Sequence, residues 1–407
     1  MRNSNSPVHI SSETSILLPG YIQTYALTSH GFLYGLTASM DRQSSRLRLI
    51  GKSLTDSGQW EAPFEFTHPV ELRVDQDHHA WIAQRSDILV VDPSGTIVRQ
   101  ISFEMEEDQE IGSFLLEQNC LYIQVQGNQV SPPHACILKT TLSGRTVWET
   151  PIDAGKIAYQ GVVYASVATG WKTEPMPAWD PTTWISSSNQ GIQLSENRLL
   201  VSYQDISSGI GRSYCLDSVH GTILWESPNG PSGGIVCTGN GEFVIQQFGY
   251  GAMDTNLYTS DGHLKQHWRT TGPIVIDSKG NLLLSEWTPG EEGAHSLVEL
   301  NPDGTISRIC ALPGYWMVRP LIDEHDTLIC WRNEQLQVVD AYGKQFVLSS
   351  KPLENYFAHA NRMLLYGQGT LIFGLDQYLY ILHTNLGRIG QSNWPCHMGN
   401  MRRNPAG

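Results

Sequence analysis

One feature recurs along this chain: an apolar run ends in a tight polar turn closed by a glycine, and another apolar run follows. The eight turns end at Gly58, Gly95, Gly144, Gly221, Gly262, Gly304, Gly343 and Gly387. Successive glycines are 37, 49, 77, 41, 42, 39 and 44 residues apart. Most intervals match the roughly 40 residues of a four-stranded propeller blade. The repeat therefore predicts an all-β chain folded as one eight-bladed β-propeller of four-stranded antiparallel blades.

The turns indicate how each blade is built. Asp or Asn enters most of the glycine turns, where a short polar side chain can hydrogen-bond the backbone just ahead. A weaker set of turns begins at Asp75, Asp277 and Asp323, and we expect it to join the first two strands of a blade. Because little sequence follows Gly387, we expect residues 8–12 to form the outer strand of the last blade. The predicted divisions are residues 1–20, a propeller over 21–392, and a tail over 393–407.

Composition excludes several classes of function. The chain has 407 residues and a net charge of −14, which argues against nucleic-acid or anionic-membrane binding because both need a basic surface. No run of about 18 apolar residues occurs, and the N-terminus lacks the pattern of a signal peptide. Seven scattered cysteines are typical of reduced thiols. We therefore expect a cytoplasmic protein.

Two segments carry a family resemblance. YCLDSVHGTILWE (214–226) and CILKTTLSGRTVWE (136–149) place Trp225 and Trp148 four residues after a turn glycine. They resemble the "ALDxxTGxxxW" repeat of the PQQ-like β-propellers, a WD40-like architecture in which this tryptophan packs between adjacent blades. The tail NWPCHMGNMRRNPAG is similar to a "WPMFRxNxxxTG" segment at the ends of such proteins. The resemblance covers essentially the whole chain and implies a fold.

The departures from that family limit what the resemblance implies. Quinone-binding members hold the cofactor against a disulfide between adjacent cysteines, and this chain has no Cys-Cys pair. We therefore expect no quinone and no other cofactor, as in the partner-binding branch of the superfamily. Asp75, Asp77, His78 and His79 occupy one of the repeated turns, and adjacent histidines on a strand would point to opposite faces. No metal site is predicted there.

The near-double interval between Gly144 and Gly221 marks an insertion at about 153–190. Residues 156–168 could form a hairpin, whereas 170–189 carry three prolines and three tryptophans, Trp171, Trp179 and Trp184. Proline resists central strands, so an insertion over one face is favoured over a ninth blade. Long irregular loops and exposed tryptophans are common in binding sites.

Long predicted loops between second and third strands strengthen this interpretation. They cover residues 36–46, 125–135, 203–213, 247–255 and 286–295, and those of blades 3 to 6 would form a wall on one side. Tyr203, Tyr250 and Trp287 are its candidate contacts, together with the insertion tryptophans. The leading hypothesis is a non-enzymatic scaffold that binds a protein or peptide partner through the face of blades 3–6.

An enzyme is the alternative hypothesis. Residues at the starts of innermost strands would line the central channel, and His68, His359 and Arg319 could supply acid–base chemistry and an anion clamp. The substrate would be a small or peptide-derived molecule at the channel mouth, and the reaction a lyase, isomerase or cyclase step.

The tail is expected to be ordered. Trp394 is costly to leave in water, at about 1.5–3 kcal/mol for a large apolar side chain. We expect it to dock in a groove between the terminal blades and to help hold the ring shut.

Overall fold

The computed structural model describes residues 8–38, 46–56, 58–66, 71–128, 135–153, 184–205, 209–228, 230–231, 233–238, 241–249, 252–270, 272–287, 294–313, 318–332, 335–350, 362–375, 377–392 and 394–396. Over these residues the secondary structure consists of β-strands and turns. None of them forms a helix with the length and hydropathy that a bilayer crossing requires.

The strands group into blades in chain order. Blade 1 contains β2 (Tyr21–Leu27), β3 (Phe32–Ala38), β4 (Leu47–Ser53) and β5 (Gln59–Phe66), and blade 2 contains β6 (Glu71–Val74), β7 (Ala80–Gln84), β8 (Asp87–Val91) and β9 (Ile97–Ser102). Blade 3 contains β10 (Gln109–Glu117), β11 (Cys120–Asn128), β12 (Cys136–Thr141) and β13 (Thr146–Pro151), and blade 4 contains β14 (Trp184–Ser195), β15 (Arg198–Asp205), β16 (Ile210–Asp217) and β17 (Ile223–Glu226).

The second half repeats this order. Blade 5 contains β19 (Ile235–Cys237), β20 (Phe243–Gly249), β21 (Ala252–Tyr258) and β22 (Leu264–Trp268), and blade 6 contains β23 (Val275–Ile276), β24 (Leu282–Trp287), β25 (Ala294–Leu300) and β26 (Ile306–Pro313). Blade 7 contains β27 (Val318–Ile322), β28 (Leu328–Arg332), β29 (Gln335–Val339) and β30 (Gln345–Ser350), and blade 8 contains β31 (Met363–Tyr366), β32 (Thr370–Leu375), β33 (Tyr378–Thr384) and β1 (Ile10–Leu17). A two-residue strand, β18 (Gly230–Pro231), pairs with β16.

These blades form a closed ring, which confirms the predicted eight-bladed, all-antiparallel propeller. Innermost strands of successive blades contact each other, in the pairs β2 and β6, β6 and β10, β10 and β14, β14 and β19, β23 and β27, and β27 and β31. The ring closes because β2 contacts β32 of blade 8. The N-terminal segment completes that blade, since β1 pairs antiparallel with β33 from Ile10 to Leu17.

The predicted interblade tryptophan contact is present. The side chain of Trp148, on the outer strand of blade 3, packs against Gly221 in the last turn of blade 4. Trp60 donates its indole N–H to the carbonyl of Pro93 at 2.8 Å, and Trp225 donates to that of Ser260 at 3.1 Å. Each tryptophan therefore ties one blade to a turn of the next blade.

The glycines differ from prediction at the last turn. Six of the eight, from Gly95 to Gly343, have φ between 77° and 94°, as hairpin glycines do. Gly387 instead follows β33 and donates its N–H to Asp323 Oδ2 at 2.9 Å. It begins the tail and closes no hairpin, because the outer strand of blade 8 comes from the other end of the chain.

We predict that Gly221→Ala destabilises the propeller through two separate effects. The residue has a φ of +77°, which costs an alanine about 1–2 kcal/mol. Its Cβ would also lie 2.7 Å from Cδ2 of Trp148, and relieving such overpacking costs about 1–3 kcal/mol more. Urea unfolding measures the loss.

Gly280→Ala is the matched control for this substitution. Gly280 has a φ of +87°, but no atom lies within 4 Å of its added Cβ. We expect it to lose only the backbone contribution. Equal losses for the two variants would show that the added Cβ does not disturb the packing of Trp148 between blades 3 and 4.

The tail docks at a different place from the one predicted. Trp394 is 1% exposed and packs with Ile276 of blade 6 and Ile322 of blade 7. Its carbonyl accepts the N–H of Ile276 at 3.0 Å, and the carbonyl of Pro395 accepts the N–H of Ile322 at 2.8 Å. The groove is therefore between blades 6 and 7, because the segment after β33 runs back across blade 7 and does not bridge blades 8 and 1.

Candidate functional site

The antiparallel blades give the ring two different faces. Turns that join strands 1 to 2 and 3 to 4 open on one side, which we call the turn face; it includes the turn Asp75–His79. The connections between strands 2 and 3, and those between blades, open on the other side, which we call the loop face. The wall predicted for blades 3 to 6 belongs to the loop face.

Blades 3 and 4 are joined by backbone pairing at the loop face. Near its end β11 pairs with the beginning of β14, through Gly127 with Ile185 and Asn128 with Trp184. β14 is 12 residues long and also pairs with β15, through Ile185 with Asp205. One sheet therefore spans two blades here, and we call the ends of β11, β14 and β15 on this face the blade 3–4 wall.

Strands extend into segments that sequence analysis assigned to loops. In blade 5, β20 and β21 pair up to Gly249 and Ala252, so most of the predicted loop 247–255 is a hairpin. β11 continues to Asn128 and β24 to Trp287. These extensions were not predicted because their residues are polar or glycine and read as loops in the sequence. They become strands through pairing with an opposite strand, which the local sequence does not reveal.

The structure describes only some of the predicted partner-binding residues. Trp171, Trp179 and Tyr250 lie outside the described residues, as does the segment 156–168. Trp184 and Trp287 begin and end strands on the loop face.

The structure corrects the prediction that Tyr203 contacts a partner. It is 0% exposed, and its hydroxyl donates to the carbonyls of Val125 at 3.1 Å and Cys136 at 2.7 Å. This buried tyrosine braces the interior between blades 3 and 4 and offers no surface to a partner. The alternation in RLLVSYQD was the signal that could have placed it inside.

The loop face is acidic around this wall. Glu104, Glu106 and Glu107 are all exposed on the connection between β9 and β10. Arg212 is paired with Glu226 at 2.6 Å and Arg308 with Glu286 at 3.5 Å. These pairs neutralise the two arginines within their own blades.

The channel candidates are only in part within the described residues. His68 and His359 lie outside them, and Arg319 lies in β27, with its side chain also outside them. The structure instead buries Arg73 and Arg362, which sequence analysis did not select. An arginine within the otherwise apolar end of β6 was the signal for Arg73.

Arg73 and Arg362 serve as structural groups, as does a third buried arginine, Arg332, which donates to the carbonyl of Leu312. Arg73 donates from Nε to the carbonyl of Phe114 at 3.2 Å and pairs with Glu71 at 2.9 Å. Burial lowers the pKa of Arg73, the Glu71 carboxylate raises it, and nearby Arg362 lowers it again. Arg362 donates to Sγ of Cys396 at 3.3 Å, so it also helps to hold the tail.

One cavity lies apart from the predicted site. Its volume is about 260 Å³, and it opens between blades 5 and 6 near Trp268, Asp277, Lys279 and Ser392. The first strand of blade 6 and the tail border it, which places it on the turn face. Binding pockets for small molecules usually have about 300–1,000 Å³. The cavity is also on the turn face, whereas Arg319 lies near the start of β27 on the loop face, so the cavity is separate from the predicted channel site.

A cluster of histidines and aspartates occupies the turn face between blades 1 and 2. His30 comes from the β2–β3 turn, and Asp75, Asp77, His78 and His79 come from the β6–β7 turn. Burial lowers the pKa of His78, and the proximity of His30 lowers it further, whereas Asp75 and Asp77 raise it. Four ionisable side chains, those of His30, Asp75, Asp77 and His79, are thus close enough to influence the His78 imidazole.

Comparison with known proteins yields structural similarity alone. No described protein family and no curated protein matches the sequence. A chain of the mitotic checkpoint complex is 8% identical with a TM-score of 0.49, covering 84% of this chain and 95% of the other. The Pan2 WD40 domain of Neurospora crassa is 11% identical with a TM-score of 0.48, covering 94% and 100%.

A third structure, a eukaryotic initiation factor, is 9% identical with a TM-score of 0.47, covering 91% of this chain and 92% of the other. At these identities and scores, none of the similarities bears on what this chain binds.

Proposed function

We propose that this protein is a non-enzymatic scaffold that binds a protein or peptide partner through the loop face of blades 3 to 6. The observation that carries the proposal is the blade 3–4 wall. Joining two blades through β11 and β14 makes a rigid, extended platform on one side of the ring. The segment 154–183, which contains Trp171 and Trp179, follows blade 3 in the sequence and directly precedes Trp184, the first residue of β14 in this wall.

The chemistry of the partner follows from the charge of this face. The acidic connection at Glu104, Glu106 and Glu107 favours a partner segment that carries lysines or arginines. Complementary charge increases association rates and specificity more than affinity. The insertion tryptophans would supply the apolar contacts, because tryptophan is enriched among residues that dominate binding energy.

We further propose that the chain belongs to the branch of PQQ-like propellers that binds no quinone, and that it works in the cytoplasm. The Trp148 contact with Gly221 supports a PQQ-like propeller, and the lack of a Cys-Cys pair in the sequence supports a branch that binds no quinone. The seven cysteines, all of which the structure describes, form no disulfide, and this is consistent with the second.

A pull-down from the native host tests the scaffold proposal. The bait variants are the wild type, the triple variant Trp171→Ala/Trp179→Ala/Trp184→Ala, and Tyr342→Ala as a matched control. Tyr342 is 82% exposed in a turn of blade 7 and therefore lies on the opposite face. We expect the wild type and Tyr342→Ala to recover the same partner, and the triple variant to recover less than a tenth as much.

Charge provides a second arm of this experiment. Replacing Glu104, Glu106 and Glu107 by Gln should reduce recovery and weaken its dependence on salt. Equal recovery by all baits would contradict the assignment of the partner site to this face.

A further inference from the structure

The histidine–aspartate cluster on the turn face has the composition of a metal site. One ligand atom from each of Asp75, Asp77 and His79 lies within 4.8 Å of the others. Nδ1 of His30 is in hydrogen-bond contact with Nε2 of His78. Three imidazoles and two carboxylates from two adjacent blades therefore converge on a small region of the surface.

The expectation that His78 and His79 diverge was based on strand geometry. Both residues precede β7 and lie in the turn, where His78 has a φ of +69°. Side-chain alternation applies to extended backbone and not to this conformation. The two adjacent histidines are thus free of the constraint that had argued against a common site.

Asp75 holds His79 in a fixed orientation. Its Oδ2 accepts from Trp81 Nε1 at 2.7 Å and lies 3.2 Å from His79 Nδ1. Its Oδ1 accepts the backbone N–H of His79 at 2.8 Å. A carboxylate that accepts a hydrogen bond from Nδ1–H keeps the proton on Nδ1 and leaves the Nε2 lone pair free for a metal, which is how ligating histidines are commonly oriented. Asp75 is therefore a positioning residue.

Equivalent turns show that His78 is an unusual choice at its position. The same backbone hydrogen bond joins residues 1 and 5 of the turns that begin at Thr28, Asp75, Asp277 and Asp323. Position 4 is left-handed in each, and it is Gly31 in blade 1 and Gly280 in blade 6. A histidine there bears a steric cost that glycine avoids.

Blade 7 shows what a side chain at this position can do. Asp326 has a φ of +58°, and its carboxylate accepts from the backbone N–H of Ser278 at 2.8 Å and from its hydroxyl at 2.6 Å. There an acceptor meets two donors of the preceding blade. His78 instead meets another imidazole, and two neutral imidazoles share at most one proton. A bound cation would accept a lone pair from each.

We propose that this cluster binds one divalent transition-metal ion of the zinc type through His30, His78, His79 and Asp77. Imidazole nitrogens with one carboxylate suit zinc, copper or nickel, whereas calcium and magnesium prefer all-oxygen sites. Ligand atoms around a tetrahedral zinc are about 3.4 Å apart. His30 and Asp77 are exposed, so their side chains can turn inward to reach that spacing.

The ion would clip blade 1 to blade 2 across their neighbouring turns. The site is on the face opposite to the blade 3–4 wall, so the inference does not depend on the proposed partner. Since a ligand that binds only the folded state raises its stability, zinc should raise the melting temperature.

The test uses the full chain without an affinity tag, stripped of metal by chelation. Isothermal titration with zinc chloride should show one ion bound per chain, with little heat from calcium or magnesium. Asp77→Asn and His78→Gly should weaken zinc binding at least tenfold and abolish the rise in melting temperature. The cobalt-substituted protein should show nitrogen and oxygen ligation without thiolate charge-transfer absorption.

His78→Gly separates binding from folding. It restores the residue that blades 1 and 6 use at this position, so the metal-free variant should be as stable as the wild type or more stable. His263→Ala is the control, because its 83% exposed side chain lies in a turn of blade 5 and should leave binding unchanged. Wild-type affinity in both His78→Gly and Asp77→Asn, or absence of one-to-one binding by the wild type, would overturn the proposal.

Discussion

A chain that ends at Gln391 is expected to unfold at a much lower denaturant concentration than the full-length protein. The truncation removes Trp394, which is 1% exposed in a core shared by blades 6 and 7. Loss of a buried tryptophan costs about 3–5 kcal/mol. The truncation also removes the hydrogen bonds that the carbonyls of Trp394 and Pro395 accept from the N–H groups of Ile276 and Ile322 on inner strands. Each lost hydrogen bond costs about 1 kcal/mol. Together these losses lower the free energy of unfolding by about 5–7 kcal/mol.

Point variants and a shorter truncation locate the effect. Trp394→Ala should produce most of the loss. Trp394→Phe should lose less, because Nε1 of Trp394 is buried without a hydrogen-bond partner among the described residues. A chain that ends at Met398 keeps the docked segment and should match the full-length protein in urea unfolding. If the chain ending at Gln391 were as stable as the wild type, the tail would contribute nothing to the core.

Deletion of residues 1–17 should open the ring and cause aggregation. It removes β1, whose pairing with β33 spans Ile10 to Leu17 and is the outer edge of the last blade. The apolar Ile10 and Ile16 also pack against core clusters of blade 8. The deletion would expose β33 as an unpaired edge, and exposed edges template association between chains. We expect loss of the monomer in size-exclusion chromatography and loss of a cooperative melting transition.

Two controls distinguish this closure from a general effect of shortening. Deletion of residues 1–7 leaves β1 intact and should not change the melting temperature. A synthetic peptide covering residues 8–18 should restore a monomer to the deleted protein, whereas the same residues in scrambled order should not. A monomeric deleted protein with an unchanged melting transition would mean that β1 does not close the ring.

Much of the fold could be predicted because its signals are local. Each blade is marked by apolar strand residues and by a turn whose glycine takes a positive φ, as at Gly95 and Gly221. The backbone N–H groups of Ser94 and Thr96 both donate to Asp92 Oδ1, which shows how the turn forms within five residues. Such contacts depend only on neighbours in the chain, so the repeat determined an eight-bladed propeller. The tryptophan at the blade interfaces was implied by the resemblance to PQQ-like propellers.

Tertiary structure decided where separate blades and both chain ends meet. Neither the pairing of Gly127 with Ile185 nor the docking of Trp394 between blades 6 and 7 has a local signal. The meeting of His30 with His78 depends on two turns 48 residues apart in the chain. Strand and turn propensities act over a few residues, whereas these contacts depend on which turns and strands the closed ring places side by side.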